Sequence, residues 1–314
     1  MLDFIYYPVS AILWFWHNAF GFVFGPASGL SWVLAVIFLV LTLRAALFIP
    51  FLEQARNQAI VKKLQPKVAS LKQKYASDRT RQATELQKLY KDNGVKTFAT
   101  LIPIIVQLFV FLGLFHVLRS FDRTANLGHL PFQAIKTPMS PEQNAATPNY
   151  VFSAADVRSF LHADLFGAPL SRTVVGAGDL LATVAAVAIP LMLIAAIATH
   201  FTARASLGRQ ETPAQFAFMR PLSLWAFPAA ALVGGALLPV AILLYFVTNN
   251  AWTLAQQHLV YRKLDAEAAA EAKLVAGGPA GAPPPPRRPP PPPPPRKIKT
   301  KGGPGRTRGP PPRP

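Results

Sequence analysis

The chain has 314 residues, of which 51% are hydrophobic and only 15% are charged, yet its formal net charge is +18. Ordinary soluble domains carry about 25% charged residues, so this composition is not typical of one. The sequence contains no cysteine. That absence excludes a disulfide scaffold, a cysteine-based redox or metal centre, and a lipoprotein anchored through a modified cysteine. The position of the charges along the chain then becomes the main question.

Residues 1–29 are interpreted as a separate N-terminal segment. Residues 1–24 are apolar and aromatic, contain no Lys or Arg, and end at Gly25-Pro26. The missing basic residues argue against a signal peptide. Amphipathic rings prefer the membrane–water interface, and this segment carries Tyr6, Tyr7, Trp14 and Trp16. We predict an interfacial helix lying along the membrane, with a sixth membrane span as the alternative.

Five blocks are apolar over roughly the 20 residues that a spanning helix requires. They cover about residues 30–52, 99–118, 180–201, 221–238 and 240–257. The last two are separated only by a short turn near Gly234-Gly235, as in a helical hairpin. The predicted fold class is therefore all-α: a polytopic membrane protein with five transmembrane helices within residues 30–260, a cytoplasmic helical hairpin and an N-terminal interfacial helix.

The net charge of the connecting segments alternates along the chain. Residues 51–98 carry +7, residues 119–179 are neutral, residues 201–220 carry +2 and residues 258–314 carry +9. Cytoplasmic loops of membrane proteins are enriched in Lys and Arg. The alternation predicts a multi-pass protein with its N-terminus outside, its C-terminus in the cytoplasm, and residues 119–179 as an extracytoplasmic loop.

Residues 53–98 are predicted to form the cytoplasmic hairpin. Long or apolar side chains recur with helical spacing on one face of each helix, namely Leu64, Val68, Leu71 and Tyr75 in the first and Gln82, Leu86 and Leu89 in the second. Ser77-Asp78 is expected to supply the turn and N-cap, Gly94 the terminal left-handed residue, and Pro66 a kink. Two interpretations stay open: a mobile docking surface for an acidic or nucleic-acid partner, or a solvated connector whose lysines only set topology.

The extracytoplasmic loop contains Pro and polar residues up to about Tyr150. An amphipathic stretch, residues 160–166, follows. We expect this stretch to lie on the outer membrane surface.

Arg44 is the single charge within the predicted spans. It lies about nine residues before Glu53, or roughly 13 Å from the cytoplasmic end of its helix at 1.5 Å per residue. An arginine near mid-helix costs about 2.5–3.5 kcal/mol on insertion scales. No Asp or Glu occurs in any predicted span to neutralise it. The charge therefore implies a watery cavity, unless the side chain extends to the inner surface.

The fifth span has a polar face of its own, and amides in lipid need hydrogen-bond partners. The face consists of Tyr245, Thr248, Asn249, Trp252 and Gln256, flanked by Asn250 and Gln257, and the second span adds Thr100 and Gln107. Interhelical hydrogen bonds, worth about 0.6 kcal/mol each, are one explanation. Together with Arg44, the alternative is a hydrated, positively charged groove.

Several function classes are excluded or disfavoured. A proton-coupled pump normally needs intramembrane carboxylates, and none is present. The sequence has no GxxxxGK[ST] and no HExxH motif, and its six histidines are not paired at metal-ligand spacing. We therefore predict no catalytic residues, no metal and no cofactor, and hence no enzyme.

Residues 261–314 are predicted to be a disordered basic tail. From residue 277 onward it consists mainly of Pro, Gly, Arg and Lys, and holds 17 of the 32 prolines. Such a chain cannot form a core and favours an extended polyproline conformation. Its charge suits ribosomal RNA or the anionic inner leaflet. A passive topological anchor remains an alternative, and SH3 recognition is a weaker one.

Three stretches together resemble the YidC/Oxa/Alb family of membrane protein insertases. They are the hairpin from Lys63-Leu64-Gln65-Pro66-Lys67 to Gly94, residues 101–107 (LIPIIVQ) and residues 244–257 (LYFVTNNAWTLAQQ). The resemblance covers about residues 30–260. Without a lipoprotein cysteine or a large extracytoplasmic β-domain, the chain is similar to the shorter Gram-positive or actinobacterial form. Residues 234–239 are a loose version of the family's Pro-x-Gly-Leu turn, and the tail has no counterpart.

This resemblance implies an insertase and folding chaperone in the bacterial plasma membrane, acting alone or with the Sec translocon. Arg44 falls where the family has its groove arginine. The implied groove is open to the cytoplasm and to lipid but closed outside. Its expected substrate-contacting residues are Arg44, Gln107, Tyr245, Phe246, Thr248, Asn249, Trp252 and Gln256.

The expected partners are nascent membrane proteins, the Sec translocon, the ribosome through its RNA, and anionic lipids. The hypothesised contacts with the ribosome or nascent chain are Lys62, Lys63, Lys67, Lys72 and Lys74 in the hairpin and Arg287, Arg288, Arg296 and Lys297 in the tail. Two other functions are kept as alternatives: a small-solute transporter or channel, and a passive ribosome-tethering anchor. The halves of the chain show no repeat, which disfavours a transporter.

Overall fold

The computed structural model describes residues 2–96, 102–124, 138–208 and 218–276. These residues form eleven α-helices and one short antiparallel strand pair. The helices are α1 (Asp3–Phe24), α2 (Gly29–Ala46), α3 (Phe48–Lys74), α4 (Arg79–Asp92), α5 (Ile102–Arg119), α6 (Pro141–Ala146), α7 (Ala154–His162), α8 (Leu181–Leu207), α9 (Met219–Pro221), α10 (Phe227–Gly235) and α11 (Val240–Ala276), and the strands are β1 (Asp164–Leu165) and β2 (Ala168–Pro169). The chain divides into two units, Met1–Ala268 and Ala269–Pro314. In the second unit, the described residues are the end of α11.

Within the described part of the chain, two helical stretches are both long and apolar enough to cross a membrane. They are Gly29–Ala46, which is α2, and Gly178–Leu207, which is α8 with the short helical turn before it. Ile105–Arg119, most of α5, is a shorter apolar helix. The fold is a helical bundle, as predicted, and the count of five spans stays a prediction.

The first predicted span, residues 30–52, is divided in the structure. Helix α2 ends at Ala46, and α3 begins at Phe48 after a break at Leu47. Pro50 explains the position of the break. A proline lacks the backbone N–H, and its ring clashes with the carbonyl four residues earlier, which is that of Ala46. Arg44 therefore lies in the last turn of α2.

The fourth predicted span is also irregular. Leu222–Ala226 forms a π-helical turn between α9 and α10. Such turns free a backbone carbonyl from the regular pattern, and here His200 Nδ1 of α8 donates to the Leu224 carbonyl oxygen at 2.7 Å. A Cβ on Gly235 would lie 2.7 Å from Met192 Cγ, so α10 packs closely on α8 because residue 235 is glycine. Residues 236–239 then form the predicted tight turn into α11.

Helices α3 and α4 pack against each other across the turn at residues 75–78. The predicted caps are present: the Asp78 carboxylate accepts from the Arg81 N–H at 2.9 Å, and Gly94 has φ 71°. Leu64 and Val68 are buried, as expected from their spacing. Helix α3 continues through Pro66 without interruption. The cytoplasmic location of this pair stays a prediction.

Residues 138–179, which belong to the predicted extracytoplasmic loop, are more ordered than their sequence suggested. Two capping boxes, at Ser140 and Ser153, begin α6 and α7. Phe160 is fully buried in an aromatic cluster with Trp32, Phe121 and Phe152. The expectation that residues 160–166 lie on the membrane surface is therefore wrong for Phe160, because its ring fills this core.

Helix α1 packs against α2 and α5. Ile5, Val9 and Leu13 are buried on this face, and Trp16 Nε1 donates to Thr42 Oγ1 at 2.9 Å. The opposite face is exposed and aromatic, with Phe4, Tyr7, Phe15 and Phe22. Its predicted orientation along the membrane stays a prediction.

Candidate functional site

The contacts of Arg44 define a polar cluster between α2 and α11. Arg44 Nε donates to Asn249 Oδ1 at 2.9 Å, and its Nη2 donates to the same oxygen at 2.6 Å. Nη2 also donates to Thr253 Oγ1 at 3.0 Å. All these partners are neutral, so the contacts satisfy donors without cancelling the charge. Two of the residues predicted for the groove are thereby brought together.

The hydroxyl of Thr253 has a fixed direction. It donates its own proton to the Asn249 carbonyl oxygen one turn earlier, at 2.8 Å. Its lone pairs are then available to accept from Arg44. The sequence interpretation missed Thr253, although its spacing of four residues from Asn249 puts both side chains on one face of a helix.

A further hydrogen bond connects α11 to a third helix, α5. Gln107 Nε2 donates to the Tyr245 hydroxyl at 3.3 Å. The side chain of Tyr245 is only 3% exposed, and its ring lies 6.1 Å from that of Phe111. Gln107 and Tyr245, both predicted groove residues, thus form a second polar contact with α11. Tyr245 lies four residues before Asn249, on the same face of the helix.

Four other predicted residues of α11 take different environments. Thr248 donates to its own helix at the Leu244 carbonyl, at 2.9 Å. Trp252 Nε1 donates to Gln256 Oε1 at 2.8 Å, and Gln256 is buried. Phe246 packs against Phe111, with centroids 5.7 Å apart. Phe246 therefore contributes apolar packing rather than a polar contact.

The two flanking amides of α11 face α8 instead. The Thr199 hydroxyl donates to Asn250 Oδ1 at 3.5 Å, and Gln257 Nε2 donates to Ser206 Oγ at 3.0 Å. These contacts are the interhelical hydrogen bonds that formed the alternative explanation for the polar face. Helix α11 thus contacts Arg44 and Gln107 on one side, and forms interhelical hydrogen bonds with α8 on the other.

The predicted ribosome or nascent-chain contacts are only partly described. The five hairpin lysines are all exposed along α3: Lys62, Lys63, Lys67, Lys72 and Lys74. Arg287, Arg288, Arg296 and Lys297 of the tail, like Thr100 of the second span, lie outside the described residues. Within the described ranges, no group of three or more His, Asp or Glu side chains could hold a metal ion.

Comparison with known proteins relates this arrangement to a family. The family described as 60Kd inner membrane protein matches residues 23–267. A Mycobacterium tuberculosis protein named membrane protein insertase YidC is 44% identical over 281 residues, covering 86% of this chain and 75% of that protein. The Mycobacterium leprae protein of the same name is 42% identical and is covered over 72% of its length. A Streptomyces avermitilis relative, also so named, is 27% identical and is covered over 58%.

The match includes all of α2 to α5 and the first part of α11, where the contacts of Arg44 lie. It also agrees with the stretches that carry the resemblance to the insertases. The chain belongs to the 60Kd inner membrane protein family of bacteria, which includes the YidC membrane protein insertases.

Proposed function

We propose that this protein is an insertase of the bacterial inner membrane that works through the polar cluster around Arg44. Its family and the names of its relatives support the insertase function. The mechanism rests on the pairing of Arg44, among the residues that the structure describes, with neutral oxygens only, those of Asn249 and Thr253. A positive charge held but not cancelled can attract an acidic segment of a substrate.

The mechanism lowers a desolvation barrier. Moving a polar group out of water without a new hydrogen-bond partner costs about 1–3 kcal/mol of free energy. The amides and hydroxyls of α5 and α11 replace part of that hydration while the polar N-terminal tail of a substrate enters. The apolar segment then moves sideways, past α2 and α11, into lipid. This process requires no covalent chemistry, and so the protein is not an enzyme.

The proposed topology has five spans, an extracytoplasmic N-terminus and α1 lying at the outer interface. The hairpin of α3 and α4 and the basic tail are cytoplasmic, as their excess of Lys and Arg favours. The exposed lysines of α3 receive the nascent chain. The tail binds ribosomal RNA or anionic lipid through its charge. Action beside the Sec translocon belongs to the same proposal.

The experiment is insertion of single-span substrates with acidic N-terminal tails into vesicles that contain the purified full-length protein. Arg44→Ala should lower insertion strongly, as measured by protease protection of the tail. Arg204→Ala is the matched control, because Arg204 is exposed near the end of α8 and makes none of the described contacts of the cluster. Equal insertion by the Arg44→Ala variant and the unmodified protein would show the charge mechanism to be wrong.

A further inference from the structure

Asn249 occupies the edge of Arg44 that proteins normally use to bind a carboxylate. Nε and Nη2 of Arg44 both donate to Asn249 Oδ1, at 2.9 and 2.6 Å. In a bidentate arginine–carboxylate pair, two such nitrogens donate to two different oxygens in parallel. Here a single neutral oxygen takes the place where a carboxylate would supply two charged ones.

The arrangement is held from one helix. Thr253, one turn after Asn249, accepts from Nη2 at 3.0 Å and donates to the Asn249 carbonyl at 2.8 Å. Arg44, Asn249 and Thr253 are all partly buried. The guanidinium is thus held in one position with its carboxylate-binding edge turned toward α11.

We propose that Asn249 is a positioning residue, whose neutral amide oxygen holds Arg44 between substrates and is displaced by a carboxylate of the entering polar segment. This proposal rests on the proposed function. A carboxylate can accept from Nε and Nη2 with two separate oxygens, and its negative charge adds an attraction to Arg44 that the neutral amide cannot supply. The exchange therefore favours an acidic segment, whereas a neutral segment gains little by displacing the amide.

The neutrality of residue 249 is essential to this exchange. A carboxylate fixed at this position would bind Arg44 permanently and cancel its charge. It would compete with any acidic substrate at an effective concentration set by the fold itself. Displacement of the amide also breaks two of the three hydrogen bonds that join Arg44 of α2 to α11, the two helices past which the apolar segment is proposed to leave.

The neighbouring residue offers a matched control. Asn250 is also an amide, at nearly the same depth in α11, but it faces α8 and accepts from the Thr199 hydroxyl at 3.5 Å. Its Nδ2 donates to the Phe246 carbonyl at 2.9 Å. Asn250→Asp therefore introduces the same charge into the same helix without placing it on Arg44.

The test uses full-length variants in vesicles and two single-span substrates. The substrates differ only in their N-terminal tails, where Asp and Glu in one are replaced by Asn and Gln in the other. The measured quantity is the ratio of acidic-tail to neutral-tail insertion. Asn249→Asp should lower this ratio about tenfold, equivalent to ~1.4 kcal/mol, and Asn250→Asp should leave it within about twofold.

A third variant, Asn249→Leu, removes the amide oxygen without adding charge, and it should keep the preference for acidic tails. It replaces Asn249→Asp as the informative variant if the latter does not fold. An equal fall of the ratio in the two aspartate variants, or its loss in Asn249→Leu, would overturn the proposal. If the unmodified protein inserts both substrates equally, the proposed charge mechanism itself fails, and the role of Asn249 fails with it.

Discussion

Trp32 and Ser159, from α2 and α7, are joined by a hydrogen bond of 2.9 Å from the indole Nε1 to the hydroxyl. The same hydroxyl donates its proton to the Pro26 carbonyl at 2.6 Å. The side chain of Ser159 therefore fixes both the entry into α2 and the largest residue of its buried face. Trp32 is fully buried, with the imidazole of His17 stacked on it at 3.7 Å.

Trp32→Ala should destabilise the protein by about 3–5 kcal/mol, because it removes a fully buried aromatic side chain and leaves a cavity. Ser159→Ala should cost less, about 1–3 kcal/mol, because it removes two hydrogen bonds and leaves the Trp32 N–H without this acceptor. Thermal unfolding in detergent, followed by far-ultraviolet circular dichroism, measures both. Trp225→Ala is the control, since Trp225 is 69% exposed and its loss should be near neutral. A Trp32→Ala variant with the same unfolding midpoint as Trp225→Ala would contradict the stabilising role of the buried Trp32.

Gly29→Ala should also be destabilising, by about 1–3 kcal/mol, as expected for forced overpacking. A Cβ on Gly29 would overlap the backbone carbonyl of Asp164 in β1, and backbone cannot move aside as a flexible side chain can. Gly234→Ala is the matched control, because nothing lies within 4 Å of its Cβ position. The same thermal unfolding measurement should place Gly29→Ala well below this control, and equal midpoints would be incompatible with the close approach of the two segments.

Tyr150 should titrate abnormally. Burial raises its pKa from 10.0 to about 12, with smaller contributions in the same direction from Tyr6 and Asp3. The folded protein holds the phenolic proton more tightly than the unfolded chain does. The resulting stabilisation is fully present below pH 10 and is lost as the pH rises toward 12. An ultraviolet titration of the protein minus that of Tyr150→Phe isolates this group, and a difference curve with its midpoint at pH 10 would refute the prediction.

Deletion of residues 277–314 should weaken co-sedimentation with ribosomes. The deleted segment carries nine Lys and Arg and no acidic residue, and binding to RNA phosphates depends steeply on salt. The remaining binding should therefore be less salt-sensitive than that of the full chain. A control tail of equal length with Gln in place of Lys and Arg separates charge from length. Unchanged sedimentation of the truncated protein would exclude a ribosome-binding role for the tail.

Much of the local structure followed from the sequence. The spacing of Leu64 and Val68 predicted a buried face, Asp78 a cap, and Gly94 a left-handed terminal residue, because each depends on nearby residues only. The same holds for the turn between α10 and α11. Arg44 and Asn249 could be assigned to one site because polar groups in an apolar helix need partners.

What could not be predicted depends on contacts between distant segments. Phe160 has an amphipathic context that equally fits a membrane surface, and only the arrival of Trp32 and Phe121 around it decides for burial. Likewise, spacing alone did not reveal the different partners of Asn249 and Asn250, which are adjacent in sequence. Asn249 accepts from Arg44 of α2, and Asn250 accepts from Thr199 of α8. The break at Leu47 was predictable in principle from Pro50, but the apolar run on both sides concealed it.

The aromatic cluster around Trp32 bears on whether the membrane around this protein can stay sealed to ions. Trp32 and Arg44 lie twelve residues apart on α2, about 18 Å at 1.5 Å per residue. Around Trp32, the side chains of Phe121, Phe152 and Phe160 are at most 1% exposed, so this end of α2 is surrounded by packed aromatic rings. In the proposed function, this aromatic layer separates the polar cluster around Arg44 from the opposite end of α2. An insertase that works in the proposed way needs such a layer if hydrated segments are to enter from one side while the membrane keeps its voltage and its proton gradient.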